Sequence, residues 1–228
     1  MGDCYSRPSH SEMDKHKRKQ NNENNNYFIS SAVSFNKKQL KNMPKQDLEK
    51  LVESLEKEQS QFLEKIENST AGMPTIPEVS IEVQKGLDLY MSGCFNSYKP
   101  FIKVTLEPNG PSFSTFSAGR YLPEWYKVVQ IKQSLQNFNI IRVSVMLEKD
   151  PESSIFFGKK DFEITDLEDQ TVRDKWYAIE SISVEPEQQP RIKIRIQLVH
   201  DEKALYTVLI KDSNEKIDLI QSEIKQAP

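Results

Sequence analysis

The sequence predicts a mainly β protein, an antiparallel sandwich of eight strands with helices on either side. Between residues 78 and 200, apolar and polar residues alternate with a period of two in about eight short runs, which Pro- and Gly-containing turns separate. No long helical pattern interrupts those runs, which favours two packed antiparallel sheets. On the flanks, at residues 34–68 and 201–228, the apolar spacing is typical of amphipathic helices.

The strand that ends before residue 200 shows the alternation most clearly. Every second position is isoleucine or leucine, and the positions between them hold charged or amide residues. Successive side chains of a strand point to opposite faces of its sheet. We therefore expect Ile192, Ile194, Ile196 and Leu198 in the core, and Arg191, Lys193, Arg195 and Gln197 on the outer face. Three large aromatic residues are also expected in the core, namely Trp125, Trp176 and Tyr177.

Two segments have the composition of irregular chain. Residues 1–33 predict a disordered tail, because the Asn-rich tract at 21–26 and its surroundings offer too little apolar surface to offset the entropy of ordering. Residues 69–77 contain two prolines and one glycine, which predict a linker between the first helix and the sandwich.

Residues 34–68 predict an amphipathic helix or a short coiled coil. Pro44 suits a first helical position, and a heptad spacing of apolar residues follows it. The helix could pack on the neighbouring domain. It could also pair with a second copy, although about three heptads make a marginal dimer. The seam consists of Leu48, Leu55 and Phe62 at d positions and Val52, Gln59 and Ile66 at a positions.

Residues 201–228 predict a C-terminal helix. Asp201 can cap its start, and apolar residues keep helical spacing after it. The segment 211–214 contains serine and asparagine, which favour caps, and therefore predicts a break in this helix.

Composition argues against several classes of function. The net charge of −3 gives no global basic field for nucleic acid. Two cysteines, far apart in sequence, indicate a reducing cytoplasmic setting without a disulfide framework. No apolar run approaches the roughly 20 residues of a spanning helix, so membrane contact would be peripheral. Without metal-ligand spacing, a phosphate-binding loop or a nucleophile motif, we expect no enzyme, no catalytic residues and no cofactor.

Five short segments resemble the C2 domain family in their order and spacing. Lys99–Val104 is similar to the strand motif DPYVKV, and Leu122–Trp125 is similar to NPxW. The remaining segments are Ile140–Leu147, Trp176–Ile179 and Arg191–Leu198, which resemble LxxxVxD, WYxL and the final GxIxLxI strand. The resemblance covers residues 78–200 and implies an eight-stranded antiparallel C2-like β-sandwich. It also implies loops at one end that often bind calcium and anionic lipid.

The calcium ligands that the resemblance implies are largely absent. The family supplies aspartates just before DPYVKV and from a DxD loop. Lys99 stands at the first of these positions, and residues 91–98 contain no acid. The second loop retains only Glu148 and Asp150. Calcium requires about six to eight oxygen ligands and is repelled by an ammonium group, so we expect no metal site and interpret both acids as solvated.

The N-terminus fits an acylation pattern. Met1–Ser6 matches M-G-x-x-x-[ST], which predicts myristoylation of Gly2, and Cys4 stands where palmitoylation commonly follows. Asp3, an acid next to the acceptor glycine, departs from the pattern, so an unmodified tail is the alternative. A basic cluster that could contact an anionic membrane follows at Lys15, Lys17, Arg18 and Lys19.

A second candidate for membrane contact is the outer face of the last strand, with Arg191, Lys193 and Arg195. Some C2 domains hold phosphoinositide head groups on a basic sheet face. The alternative is an ordinary solvated face of an antiparallel sheet.

These features lead to three hypotheses. The first is a non-enzymatic, calcium-independent C2-like adaptor or scaffold, cytoplasmic and peripherally attached to an anionic membrane surface, whose helices recruit a protein partner or a second copy. The second is a structural component of a cytoskeletal or ciliary assembly without lipid binding. The third is a calcium-dependent phospholipid-binding protein. None of them involves nucleic acid.

Overall fold

Two antiparallel sheets form the body of the protein in the computed structural model, which describes residues 28–68, 76–89, 98–118, 122–150, 152–182 and 189–226. Within these ranges one sheet has four strands and the other has five. The predicted antiparallel sandwich with flanking helices is confirmed. It contains nine strands in the described ranges, two of which have only two or three residues.

The strands are numbered along the chain. They are β1 (Glu78–Leu87), β2 (Lys99–Glu107), β3 (Ser112–Ser114), β4 (Glu124–Lys132), β5 (Ile140–Asp150), β6 (Ser153–Glu163), β7 (Arg173–Ala178), β8 (Glu180–Ser181) and β9 (Arg191–Val199). The four-stranded sheet has the order β4-β1-β9-β7, and the five-stranded sheet has the order β3-β2-β5-β6-β8. A 3₁₀ turn at Thr165–Leu167 follows β6.

The core lies between the two sheets. The alternation predicted for β9 is confirmed, because Ile192, Ile194, Ile196 and Leu198 are all buried. They belong to one apolar cluster with alternate residues of β1, β2 and β5. Burial of this apolar surface is the main force that holds the sheets together.

Three helices flank the sandwich in the described part of the chain: α1 (Lys37–Leu40), α2 (Lys45–Asn68) and α3 (Glu202–Gln226). The amide of Ala204 donates to the Asp201 carboxylate at 2.9 Å, which confirms the predicted cap of α3. The predicted break at residues 211–214 is wrong. Ser213 is buried within a continuous helix, because packing against α2 outweighs the weak local preference of serine and asparagine.

Helices α2 and α3 pack against each other in opposite directions. The ring of Phe62 stacks on Tyr206 with centroids 5.5 Å apart, and Gln59 donates to Asn214 at 2.8 Å. Leu48 and Leu55 share an apolar cluster with residues near the end of α3. Thus the heptad seam of α2 faces α3 of the same chain. No helix in the described ranges is long and apolar enough to cross a membrane.

Residues 28–36 form an extended segment, here called the strap, that joins the sandwich to the helices. The sequence placed residues 28–33 in the tail, but Phe28 is buried in the structure. The Gln197 side chain accepts from the Ile29 amide and donates to the Ile29 carbonyl, both at 2.8 Å. The Glu58 carboxylate of α2 accepts from Ser31 and Ala32. Residues 1–27 and 69–75 lie outside the described ranges.

Candidate functional site

Seven strands meet at one end of the sandwich, here called the loop end. Strands β1, β5 and β7 finish there, while β2, β4, β6 and β9 begin there, as the pairing of Leu87 with Arg191 and of Lys99 with Glu148 shows. Trp125 Nε1 donates to the Pro100 carbonyl at 3.4 Å and connects the two sheets. The described residues of the loop end are 87–89, 98–100, 115–118, 122–124, 148–150, 152–153 and 189–191.

Two large apolar side chains project into solvent from the loop end. Phe116 is 89% exposed and Leu122 is 69% exposed. Backbone bonds hold the chain on both sides of Phe116, since Thr115 donates to the Ile102 carbonyl and Ala118 donates to the Pro100 carbonyl, both at 2.8 Å. The backbone on both sides of Phe116 is therefore hydrogen-bonded to β2, while the Phe116 ring lies outside the core.

Leu122 is held in a similar way. The amide of Gly86 donates to the Pro123 carbonyl at 2.9 Å, and Pro123 is buried. A β-carbon at position 86 would lie 2.9 Å from Pro123, so glycine permits this close approach. On the opposite edge, Ile182 is 64% exposed, and its amide donates to the Phe157 carbonyl at 3.1 Å. Ile182 is thus a third exposed apolar residue, on the edge of the five-stranded sheet beside Phe157.

The acids that resemble calcium ligands bind protein groups instead. Glu148 accepts a hydrogen bond from Ser117. Asp150 accepts from the Ser153 hydroxyl at 2.7 Å and the Glu152 amide at 3.1 Å, and these bonds lower the pKa of Asp150. Lys99 is exposed directly opposite Glu148. Within the described ranges, no group of three or more potential metal ligands is present.

The three predicted cations of β9 have three different environments. Arg191 is exposed at the loop end. Lys193 forms an ion pair with Asp174 at 3.4 Å. Arg195 lies beneath the ring of Phe28, 4.4 Å from its centroid, and its buried Nε has no hydrogen-bond partner. All three lie on the outer face as expected, but the strap and Asp174 keep them from forming an open basic stripe.

The other predicted site residues lie outside the described ranges: Gly2, Cys4, Lys15, Lys17, Arg18 and Lys19. Sequence reasoning missed Phe116, Leu122 and Ile182, because an apolar residue in a short β-rich stretch reads as part of the core. The expectation for Trp176 was wrong, since it is exposed beside Lys193 on the edge strand β7. Trp125 and Tyr177 pack on the core as expected.

The Phe28 end of the strap is the end that lies nearer the loop end of the sandwich. Ile29 lies at Gln197 and Phe28 lies at Arg195, so the chain traced backwards moves toward Arg191, where β9 begins. The described chain therefore begins on the side of the strap that is nearer the loop end.

Solved C2 domains are similar to the sandwich. The first C2 domain of plant extended synaptotagmin 1 has a TM-score of 0.46 and 14% identity over 57% of this chain and 98% of that chain. The calcium-bound pair of C2 domains of extended synaptotagmin 2 has a TM-score of 0.46 and 14% identity over 56% of this chain and 48% of that chain. Human GIVD cytosolic phospholipase A2 has the same TM-score and identity, but the match covers only 17% of that enzyme.

No protein-family model and no curated protein matches the sequence.

Proposed function

We propose that this protein is a non-enzymatic, calcium-independent adaptor that attaches peripherally to membranes through the loop end of its sandwich and its N-terminal tail. The observation that carries the proposal is the exposure of Phe116 and Leu122 on chain segments tied to the sheets. Burying such a side chain in an apolar phase is worth about 1.5–3 kcal/mol. Two side chains that insert together give useful but reversible binding.

The tail supplies a second attachment. A single myristoyl chain on Gly2 binds membranes only marginally, with an association constant of about 10⁴ M⁻¹, so a further signal is needed. Palmitoylation of Cys4 and insertion of the loop end would each provide such a second signal. Four cations of the tail add attraction to an anionic leaflet: Lys15, Lys17, Arg18 and Lys19. The strap, which begins on the loop-end side, supports the action of both attachments on one membrane.

Calcium independence is supported by the chemistry at the base of the loops. Lys99 places an ammonium group opposite Glu148, whose carboxylate already accepts from Ser117. The carboxylate of Asp150 is likewise occupied by Ser153 and the Glu152 backbone. A calcium ion here would have to displace these bonds and overcome repulsion from the lysine, with few oxygens to complete its shell.

Vesicle co-sedimentation of the full chain tests the loop end. We expect the double variant Phe116→Ser/Leu122→Ser to lower the membrane partition coefficient at least about tenfold, as the burial free energy of a large apolar side chain implies. A chelator should have no effect. The matched control is Leu63→Ser/Val208→Ser, which removes two exposed apolar residues from the helices. Equal loss in both variants, or binding that requires calcium, would contradict the proposal.

Acylation is tested separately in cells. A clickable myristate analogue should label the wild-type chain and leave Gly2→Ala unlabelled, because only an N-terminal glycine accepts the acyl group in this motif. Absence of label from the wild type would remove the tail anchor and leave the loop end as the attachment.

A further inference from the structure

We infer that a cavity at the end of the sandwich opposite the loop end, here called the far end, binds a basic peptide segment of a partner protein through one apolar side chain. The inference names a partner for the proposed adaptor, but it does not depend on membrane attachment. Because the two ends of the sandwich are opposite, the far end stays accessible when the loop end contacts a bilayer.

The far end contains an apolar cavity of about 320 Å³. Strands β1 and β5 begin at this end, while β4, β6 and β9 finish there. Leu135 and Leu198 line the cavity and belong to the buried core, and Ile164 packs against that core. Pro77 adds a fourth apolar side chain to the lining. The cavity is therefore a place where the core between the sheets can be reached from the surface.

Hydrogen bonds hold two walls of the cavity in place without a ligand. The Pro77 carbonyl accepts from the Gln133 amide at 3.3 Å. The Ile164 amide donates to the Asn139 carbonyl at 3.0 Å. A site that is already formed avoids the cost of ordering its own chain when a ligand binds.

The charge around the cavity determines the chemistry of the partner. The segments that line it are 76–78, 132–139, 163–169 and 198–203. In these segments Glu78 is paired with Lys132 at 2.8 Å, and Asp169 is paired with Arg173 at 3.2 Å. Five further carboxylates have no ion-pair partner in the part of the chain that the structure describes: Glu163, Asp166, Glu168, Asp201 and Glu202. Lys203 is the one cation without an ion pair in the same segments, so a basic partner is attracted.

The shape of the cavity favours a peptide over a small molecule. Sites for small ligands have volumes of about 300–1,000 Å³ and enclose most of the ligand. This cavity is at the lower end of that range and is open to solvent. One large apolar side chain can fill it while basic neighbours in the same segment reach the surrounding carboxylates. Ile76, which precedes Pro77 and is 64% exposed, extends the apolar surface beyond the cavity.

Fluorescence anisotropy with the full chain tests the inference. The probe is a capped, labelled pentapeptide with one leucine between two pairs of lysines. We expect a Kd below about 1 mM. The Kd should rise at least about tenfold when serine replaces the leucine, because burial of that side chain is lost. A probe with glutamates in place of the lysines should not bind, because the carboxylates repel it.

Variants of the protein test the contribution of the carboxylates. Glu163→Gln/Glu168→Gln should raise the Kd of the lysine probe about fivefold, as the loss of two exposed ion pairs implies. The matched control is Glu49→Gln/Glu53→Gln, which removes two exposed acids from α2 and should leave the Kd within about twofold of wild type. Equal effects of the two variants would overturn the role of the cavity acids.

Methyl resonances of the wild-type chain locate the bound probe. Those of Leu135, Ile164 and Leu198 should shift as the probe is added. Those of Leu63 and Val208, which are exposed on the helices, should not shift. Shifts that leave the three cavity residues unchanged would place the probe elsewhere and overturn the inference.

The outcomes separate this inference from the proposed function. Phe116→Ser/Leu122→Ser should lose membrane binding and bind the probe as tightly as wild type. Loss of probe binding in that variant would place the probe at the loop end. Equal affinity for the leucine and serine probes, or no binding up to about 1 mM, would overturn the cavity as a binding site and leave membrane attachment unaffected.

A last variant distinguishes a partner from the tail of this chain. It neutralises the basic cluster by Lys15→Gln, Lys17→Gln, Arg18→Gln and Lys19→Gln, and it should bind the probe within about twofold of wild type. Binding that appears only in this variant would assign the cavity to the chain's own tail and overturn a separate partner.

Discussion

At the scale of single residues, one amide connects distant parts of the chain. The Gln197 side chain is 1% exposed and satisfies the Ile29 amide, the Ile29 carbonyl and the Gln170 carbonyl, each at 2.8 Å. Gln170 in turn accepts from the amides of His200 and Asp201, where β9 leads into α3. Two glutamines thus satisfy backbone groups that neither a helix nor a sheet could satisfy.

Replacing Gln197 by leucine should release the strap from the sandwich. Ile29 and Gln170 would lose their partners, at about 1–3 kcal/mol for each buried group left unsatisfied. We expect hydrogen exchange at the Ile29 amide to accelerate and the free energy of unfolding to fall. Gln130→Leu is the control, because the Gln130 side chain is exposed and donates to the Glu78 carboxylate at 2.6 Å. Unchanged exchange at Ile29 would show that the strap does not depend on this amide.

A carboxylate on the outer face of the five-stranded sheet predicts a pH dependence. Arg142 reaches both oxygens of Asp161, at 2.8 and 3.1 Å, and Lys159 lies 2.6 Å away. The Arg142 hydrogen bond, followed by that of Lys159, lowers the pKa of Asp161 against the opposing effect of burial. The folded state therefore prefers the charged carboxylate more than the unfolded state does.

The sign of this effect is a loss of stability on acidification. The contribution of Asp161 is present above the unfolded carboxyl pKa of about 3.9 and disappears as pH falls through the lower folded value. Urea denaturation across this window should show a smaller decrease in unfolding free energy for Asp161→Asn than for wild type. Identical decreases in both proteins would rule out a role for this group.

At the scale of elements, the packing of α2 on α3 decides what the helices can do. The seam of α2 is filled by α3 of the same chain, and the residues facing away are polar, with Leu63 an exception. The sequence pattern correctly identifies the seam residues, yet it is compatible with a partner in the same chain or in another. Only the pairing across more than a hundred intervening residues, as between Gln59 and Asn214, distinguishes these possibilities.

Two leucines of α2 provide a matched comparison. Leu55 is buried against α3, whereas Leu63 is 50% exposed. Leu55→Ala should lower the free energy of unfolding by about 2–5 kcal/mol, through lost burial and the cavity left behind. Leu63→Ala should change it by no more than about 0.5 kcal/mol, as is usual for surface positions. Chemical denaturation measures the free energy of unfolding of both variants. A loss for Leu55→Ala as small as that for Leu63→Ala would mean that α2 and α3 separate easily from each other.

The outer face of β9 shows how far an element can be predicted. The alternation of apolar and polar residues identifies the side chains that point away from the core, because successive side chains of a strand point to opposite faces of the sheet. It does not reveal what covers the outer face. Phe28 and Ile29 follow an Asn-rich tract and look like part of the tail, so their contacts with Arg195 and Gln197 are visible only in three dimensions. Exposure of Phe116 is equally non-local, since it depends on how β3 ends beside β2.

At the scale of the whole molecule, the arrangement predicts a monomer. The apolar seam of α2 is already occupied by α3, and the strap covers part of the four-stranded sheet. Sedimentation velocity should show one species of monomer mass at all protein concentrations, because marginal heptads gain nothing from exchanging partners. A dimer that grows with concentration and disappears in Leu55→Ala would show instead that α2 exchanges between copies.

The strap also determines how the protein responds to mechanical load. A pull on the strap from its Phe28 end acts on the contacts of Phe28 and Ile29 along β9. A load directed along β9 acts at the same time on the two hydrogen bonds between the Gln197 side chain and the Ile29 backbone. The two bonds therefore share the load. Beyond them, the carboxylate of Glu58 and the Lys216 ammonium, 3.1 Å from the Val33 carbonyl, hold the strap to both long helices. Tension at the Phe28 end of the strap would therefore be spread over the sandwich and the helix pair before either could be drawn away from the other.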